Sequence, residues 1–152
     1  MYDMKNNTIP FKIDEIICSK FEILGEVTKG EVELETGFAF SANFQNHHVR
    51  STVLYRLLQG GVRVLEHELI CSFDVREKEF NQMIVGNQLL LKADFARYIT
   101  TINVGAARGE IHARCSLANS NIDRVILPPI NLVEALPSDI VFDIPKDMQQ
   151  NN

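Results

Sequence analysis

Residues 31–45 read EVELETGFAFSANFQ, and the alternate side chains of this stretch are mostly apolar. The alternating set is Val32, Leu34, Thr36, Phe38, Phe40, Ala42 and Phe44. Successive side chains of a strand point to opposite faces of a sheet, whereas a helix would distribute these phenylalanines around its axis. The stretch therefore predicts a strand with one buried face and one solvated face.

Three further segments predict strands, at 11–24, 48–58 and 62–75. In the segment 62–75, VRVLEHELICSFDV, apolar residues again alternate with Glu, Ser and Asp. Gly60-Gly61 separates the last two segments, and because glycine adopts positive φ without strain, we expect a tight hairpin there. The first segment loses its phase between Glu15 and Lys20, which predicts a β-bulge.

A change of period after Gly86 predicts one long helix at 88–115, with Asn87 as its N-cap. The apolar stripe that recurs every three or four residues is Leu91, Phe95, Tyr98, Ile102 and Ala106. Such a stripe is typical of a helix that packs one side on a core. The predicted fold class is therefore α+β: a four-stranded antiparallel meander sheet followed by one long helix packed on it.

The composition predicts one soluble domain. The chain has 152 residues, which we assign to a single domain over 1–152 with loose termini at 1–9 and 146–152. Its net charge of −5 argues against nucleic-acid binding, because such a chain does not attract phosphate backbones. No apolar run approaches the roughly 20 residues that cross a bilayer, and no secretory signal is visible, so we expect a cytoplasmic protein without membrane insertion.

The cysteines predict neither disulfides nor a metal site. Cys18, Cys71 and Cys115 are odd in number and far apart in the sequence. A zinc site is usually signalled by a close pair such as CxxC, and no such pair occurs. We therefore expect buried free thiols, no metal and no cofactor.

Three segments resemble the SecB protein-export chaperone family. PFKIDEI at 10–16 is similar to the family's first strand, and FARYITTINVGAARG at 95–109 is similar to its long helix. LPPINLVEAL at 127–136 is similar to its Pro-x-Asn loop and second helix. The three motifs stand in the family's order and span about residues 10 to 136 of the chain.

The resemblance implies an ATP-independent chaperone, a holdase that binds unfolded or non-native polypeptides for protein export. It also implies a homotetramer, built as a dimer of dimers, and hand-off of clients to the SecA translocation motor. Oligomerisation is expected on other grounds too, since one helix cannot cover four long strands. Lys20 stands where the family has an acidic residue, so we expect affinity for a SecA-type motor to be weak and salt-sensitive.

Three sets of residues are candidates for these roles. Apolar side chains that form either a client-binding groove or plain core are Phe11, Phe21, Phe38, Phe40 and Phe44. An acidic face, either solvated or ready for a basic partner, carries Glu33, Glu35, Glu66 and Glu68. The part of the helix expected at subunit contacts carries Tyr98, Ile102, Ala106 and Gly109.

Two alternatives to an export chaperone remain open. A SecB-like chaperone dedicated to one partner, as in some toxin–antitoxin systems, would keep the fold and omit the motor. A small thioesterase of the hot-dog type has a similar size, but its helix comes early in the chain rather than after four strands. No nucleophile, oxyanion site or phosphate-binding motif is visible, and we expect the protein not to be an enzyme.

Overall fold

The four predicted strands form one antiparallel sheet in the computed structural model, which describes residues 11–148. They are β1 (Phe11–Ile23), β2 (Glu33–Asn43), β3 (His48–Gln59) and β4 (Val62–Val75). The hairpin between β3 and β4 turns at Gly60 and Gly61, whose φ angles are 59° and 76°. Both angles lie in the left-handed region that favours glycine, which explains the Gly-Gly pair.

The remaining elements follow in chain order after β4. They are α1 (Glu77–Gln82), β5 (Ile84–Val85), β6 (Gln88–Leu91), α2 (Ala93–Leu117), α3 (Leu132–Ala135) and β7 (Ile140–Asp143), with 3-10 turns at Asn121–Arg124 and Lys146–Met148. The predicted α+β class, with a four-stranded antiparallel sheet and a long helix after it, is confirmed. Of the predicted loose termini, residues 1–9 and 149–152 lie outside the described residues.

The strand order in the large sheet is β1-β4-β3-β2. Strands β2, β3 and β4 form the expected meander, whereas β1 does not pair with its neighbour in sequence. It crosses over to pair with β4, so the segment at 24–32 is a connection rather than a turn. The consequence is that β1 and β2 are the two edge strands.

Strand β1 has two irregularities where the sequence predicted one β-bulge. The pairing of β1 with β4 shifts register between Ile13 and Glu15 and again between Cys18 and Lys20. The two shifts bring Phe11, Ile16 and Phe21 opposite residues of one face of β4, although their spacing in the sequence is odd. The bulges thus keep Phe11, Ile16 and Phe21 on one side of the sheet.

The long helix begins later than predicted. Residues 88–91 belong to strand β6, so Leu91 is buried in a second, three-stranded sheet of order β5-β6-β7. Asn87 is therefore not the N-cap. The first turn of α2 is instead held from far along the chain, because Asp139 Oδ1 accepts from Ala93 N at 2.7 Å and Leu136 O accepts from Arg97 Nε at 2.9 Å.

The buried side of α2 also differs from the predicted stripe. The helical residues that are fully buried are Ala96, Ile99, Thr100, Asn103, Ala107, Ile111 and Cys115. Phe95, Ile102 and Ala106 are only half-buried against the core, and Tyr98 remains 51% exposed. The predicted stripe thus lies along one flank of the contact with the sheet. None of the helices in 11–148, α2 with its 25 residues included, has the length and apolar character that would let it span a bilayer.

One buried amide joins the helix to the sheet. Asn103 lies on the sheet-facing side of α2, and its Nδ2 donates to Ser51 O in β3 at 2.8 Å and to Leu69 O in β4 at 3.1 Å. A buried polar group is stable only when it has such partners, and this one bridges two strands at once. The contact fixes the position of the helix along the strands.

We expect Asn103→Ala to lower the free energy of unfolding by about 2–3 kcal/mol, because it removes two buried hydrogen bonds and leaves space behind. Urea denaturation measures the change. Asn81→Ala, at an exposed position of α1, is the matched control and should change stability by less than about 0.5 kcal/mol. Equal losses in the two variants would show that Asn103 does not anchor the helix.

Candidate functional site

The long helix covers the middle of the sheet and leaves its two edge strands uncovered. Helix α2 packs on the central strands β3 and β4, while β1 and β2 extend beyond it on opposite sides. The five candidate phenylalanines are divided between these edges. Phe11 and Phe21 lie on β1, Phe38 and Phe40 lie on β2, and Phe44 lies in the turn after β2. All five face the side that carries α2, but they do not form one continuous groove.

Aromatic contacts hold Phe11 between β4 and the helix. Its ring meets Phe73 at 5.9 Å, Phe95 at 5.1 Å and Tyr98 at 5.6 Å between centroids, each time edge to face. This geometry is favourable because the positive edge of one ring meets the negative face of the next. Phe11 therefore packs in the core between β4 and α2. Tyr98, which contacts it, is exposed and extends this apolar cluster to the protein surface.

The surface beside this aromatic cluster is apolar and open. The register places Ile13 and Ile16 opposite Phe73 and Cys71, on the face of the sheet that carries α2. Yet the two isoleucines are 45% and 48% exposed. We call Ile13, Ile16 and Tyr98 the β1 flank. Side chains of this type are normally covered on the inner face of a sheet, so the β1 flank lacks a covering element within residues 11–148.

The β2 edge is better covered than the β1 flank. Phe38 and Phe40 stand opposite Val53 and Ser51 of β3, and both are half-buried against the core. Phe44 packs on Phe80 of α1, with ring centroids 6.0 Å apart. The predicted alternation of this strand is thus confirmed, and its phenylalanines pack against the core while remaining partly exposed.

Only part of the predicted acidic face is exposed to solvent. Glu33 and Glu35 are exposed on β2, whereas Glu68 is half-buried and accepts a hydrogen bond from Ser19 Oγ at 2.7 Å. Glu66 is buried, with a side chain only 7% exposed. Contrary to the sequence-based expectation, its carboxylate does not stand free on that face.

Three cations neutralise Glu66. Lys20 Nζ lies 3.2 Å from its Oε1, Arg56 Nε lies 3.4 Å from the same oxygen, and Arg63 lies 3.5 Å from Oε2. The hydrogen bond from Lys20, together with Arg56, lowers the pKa of Glu66 although burial opposes this. Lys20, which the sequence suggested as a repulsive substitution, is therefore the partner of a buried carboxylate.

The helix residues expected at subunit contacts lie partly along the flank of α2 that meets the core and partly on its open side. Ile102 and Ala106 are half-buried, while Tyr98 and Gly109 are exposed. A Cβ atom at Gly109 would meet no atom within 4 Å, and the same holds for Gly105. The space over this part of the helix is therefore open in the single chain.

A cluster that the sequence did not predict joins β1, β4 and α2. The imidazole Nε2 of fully buried His67 lies 3.0 Å from Glu110 Oε1, and the Cys18 thiol lies beside both. The three residues are far apart in sequence, so no spacing motif could indicate them. The one hint in the sequence is the position of His67 in β4. It lies between two glutamates, and the alternation of the strand places its side chain on the apolar face.

The ionisation of this cluster follows from its burial and its partners. Burial lowers the pKa of His67 and keeps the ring neutral, although Glu110 works in the opposite direction. Burial alone would raise the pKa of Glu110, but hydrogen bonds from Cys18, His67 and Arg114 bring it below its ordinary value. Burial and the neighbouring carboxylate raise the pKa of Cys18, so its thiol is protonated at neutral pH.

Comparisons with known proteins give a likeness to solved structures. No protein-family model matches the sequence, and no curated protein matches it. Among solved structures, the chain is similar to a SecB-like chaperone from Mycobacterium tuberculosis in complex with a ChAD peptide from an antitoxin. The two are 14% identical with a TM-score of 0.47, over 80% of this chain and 91% of that chain.

We expect Glu66→Gln to lower the free energy of unfolding by about 1–2 kcal/mol at neutral pH, because three cations lose their shared partner. The pKa of Glu66 is lowered in the folded chain, so its stabilisation is present above the ordinary carboxyl range and is lost as the pH falls through the folded pKa. Urea denaturation at pH 7 and at about pH 3 should therefore show a smaller difference from wild type in acid.

The control for this variant is Glu35→Gln, which removes an exposed carboxylate from the same face of the sheet. It should leave stability within about 0.5 kcal/mol of wild type at both pH values. A loss for Glu66→Gln that persists unchanged in acid would contradict the role assigned to its charge.

Proposed function

We propose that the protein is an ATP-independent chaperone of the cytoplasm that holds unfolded or non-native polypeptides. The observation that carries the proposal is the β1 flank, where Ile13, Ile16 and Tyr98 are each about half exposed. Non-native chains expose apolar side chains, and burying these against an apolar surface stabilises the complex by roughly 25 cal/mol per Å².

The backbone of β1 offers a second means of binding. Strand β1 pairs only with β4 within residues 11–148, so its outer edge presents free N–H and C=O groups. An extended peptide can add to such an edge through main-chain hydrogen bonds, which do not depend on its sequence. A free edge beside an apolar flank supports binding of many unrelated segments, as a holdase requires.

Hand-off to an export motor has weaker support. A basic partner would meet the exposed Glu33 and Glu35, but the charge of Glu66 is already balanced by Lys20, Arg56 and Arg63. Exposed charges mainly steer a partner and are screened by salt. We therefore propose that any contact with a SecA-type motor is weak and salt-sensitive. A chaperone dedicated to one client is the second candidate, and the neutralised Glu66 favours it over export.

We further propose that the protein is not an enzyme. Helix α2 follows all four long strands, whereas the hot-dog thioesterases that were the alternative carry their helix early in the chain. The cavity between α2 and residues 122–127 holds about 180 Å³ and is lined mainly by aliphatic side chains. Its polar lining residues, Arg108 and His112, are bonded to the carbonyls of Leu127 and Asp123.

We propose a homotetramer as the working assembly. The exposed apolar surface of the β1 flank and the open space over Gly105 and Gly109 support it. Small residues on a helix allow another helix to approach closely, and the β1 flank would lie beside that contact and stay open to clients. In such an assembly part of the client surface would lie along the rim of the subunit contact.

We expect the chain to suppress aggregation of a denatured client, diluted into buffer without ATP, at near-stoichiometric ratios followed by light scattering. The double variant Ile13→Ser, Ile16→Ser should bind the client about tenfold more weakly, because two apolar contacts are lost. Ile126→Ser, at an 89% exposed isoleucine outside the β1 flank, is the control and should act as wild type.

The range of clients separates the candidates. Suppression for several unrelated clients supports general holding, and suppression for one alone supports a dedicated chaperone. If wild type leaves scattering unchanged for every client, or if the Ile126→Ser control loses as much as the double variant, the proposal is wrong.

We expect Gly109→Leu to shift the protein to smaller species in sedimentation velocity at micromolar concentration. The leucine side chain meets open space in the single chain and improves helix propensity by about 1 kcal/mol, so the subunit itself should not be destabilised. Gly109→Ala has the same propensity benefit with one added methyl group and should dissociate the assembly far less. A wild-type monomer, or an unchanged profile for Gly109→Leu, would refute the helix contact.

A further inference from the structure

We propose that Cys18, His67 and Glu110 bind one Zn²⁺ ion per chain. The thiol sulfur, an imidazole nitrogen and a carboxylate oxygen of these residues all lie within 4.8 Å of one another. No other group of three such side chains converges in this way within residues 11–148. The site is separate from the β1 flank and does not rest on the proposed chaperone activity.

The ligand atoms lie near the spacing of a zinc site and need adjustments in both directions. Zn²⁺ binds sulfur at about 2.3 Å and nitrogen or oxygen at about 2.0–2.2 Å, which places tetrahedral ligand atoms about 3.3–3.7 Å apart. The His67 Nε2 and Glu110 Oε1 atoms, now 3.0 Å apart, need to open slightly. Ligand atoms at the outer limit of 4.8 Å need to close by about 1 Å.

The scaffold holds each ligand on a different element. His67 is fully buried in the central strand β4, and Glu110 projects from the second half of α2. Cys18 directly precedes the second bulge of β1, and bulges commonly redirect a side chain. The bulge is itself held, because Ser19 Oγ donates to Glu68 Oε1 at 2.7 Å.

Arg114 already orients one of the ligands, Glu110. Arg114 Nε donates to Glu110 Oε1 at 2.9 Å, and its guanidinium lies over the Phe21 ring at 5.5 Å. Contacts of this kind around the ligands set their geometry and strengthen metal binding.

The donor set favours zinc over the other common ions. Thiolate and imidazole select zinc rather than Mg²⁺ or Ca²⁺, which prefer oxygen ligands. On binding, the thiol of Cys18 gives its proton to solvent and its sulfur takes a coordination bond to the ion. The neutral ring of His67 moves its hydrogen from Nε2 to Nδ1, so that the Nε2 lone pair can bind the ion. Because Cys18 and Glu110 are only half-buried, the ion can enter from solvent and water can occupy the fourth position.

The experiment uses the full chain, reduced and freed of metal with a chelator, and titrated anaerobically with Co²⁺ as a spectroscopic probe for zinc. We expect one Co²⁺ per chain, with visible bands of a tetrahedral centre and a thiolate-to-cobalt charge-transfer band in the near ultraviolet. Zn²⁺ should bleach both signals, and it should raise the thermal unfolding midpoint of the chain, because it binds only the folded state.

Variants assign the ligands. Cys18→Ser should abolish the charge-transfer band, and Glu110→Gln, at a half-buried position, should keep that band but weaken binding at least about tenfold. Cys115→Ser, which changes a buried thiol outside the cluster, should bind as wild type, and circular dichroism verifies that each variant is folded. No stoichiometric cobalt spectrum from folded wild type, a band that survives Cys18→Ser, or its loss in Cys115→Ser would each overturn the site.

Discussion

The hydrogen bonds of Asn103 determine where the helix lies on the sheet. Its amide donates to one carbonyl of β3 and one of β4, so α2 cannot slide along the strands without leaving buried polar groups unpaired. Since a helix rises 1.5 Å per residue, fixing this one residue also fixes both ends of the contact. Phe95 then meets Phe11 near the start of the helix, and Glu110 meets His67 two turns beyond the amide.

Because of this position of α2, the two edge strands of the sheet are covered to different extents. The helix lies over β3 and β4, so each edge strand must find its own cover. At the β2 edge the turn after the strand and α1 supply it, through Phe44 and Phe80. At the β1 edge no corresponding element lies within residues 11–148, and Ile13 and Ile16 remain open. The same asymmetry leaves room for Cys18 to approach the helix from the side.

The sequence predicted what depends on neighbours along the chain and failed where distant segments meet. Alternation placed the four strands and the Gly-Gly turn correctly, because each is a local pattern. The start of α2 was placed too early, since Leu91 pairs with β7 about fifty residues later. Glu66 seemed exposed because its partners Lys20 and Arg56 lie on other strands, and the Cys18, His67 and Glu110 cluster has no linear signature for the same reason.

The contacts of Asp139 with the first turn of α2 have a consequence for synthesis on the ribosome. The sheet β1 to β4 can form as soon as residues up to 75 have emerged, but the helix start stays unsupported until β7 is made. At 5–20 residues per second, the interval between Ala93 and Asp143 lasts about 3–10 seconds. During this interval the nascent chain has a complete sheet β1 to β4 and a helix whose first turn is unsupported. Any protein that binds the exposed sheet or helix therefore encounters the chain before β7 has joined it.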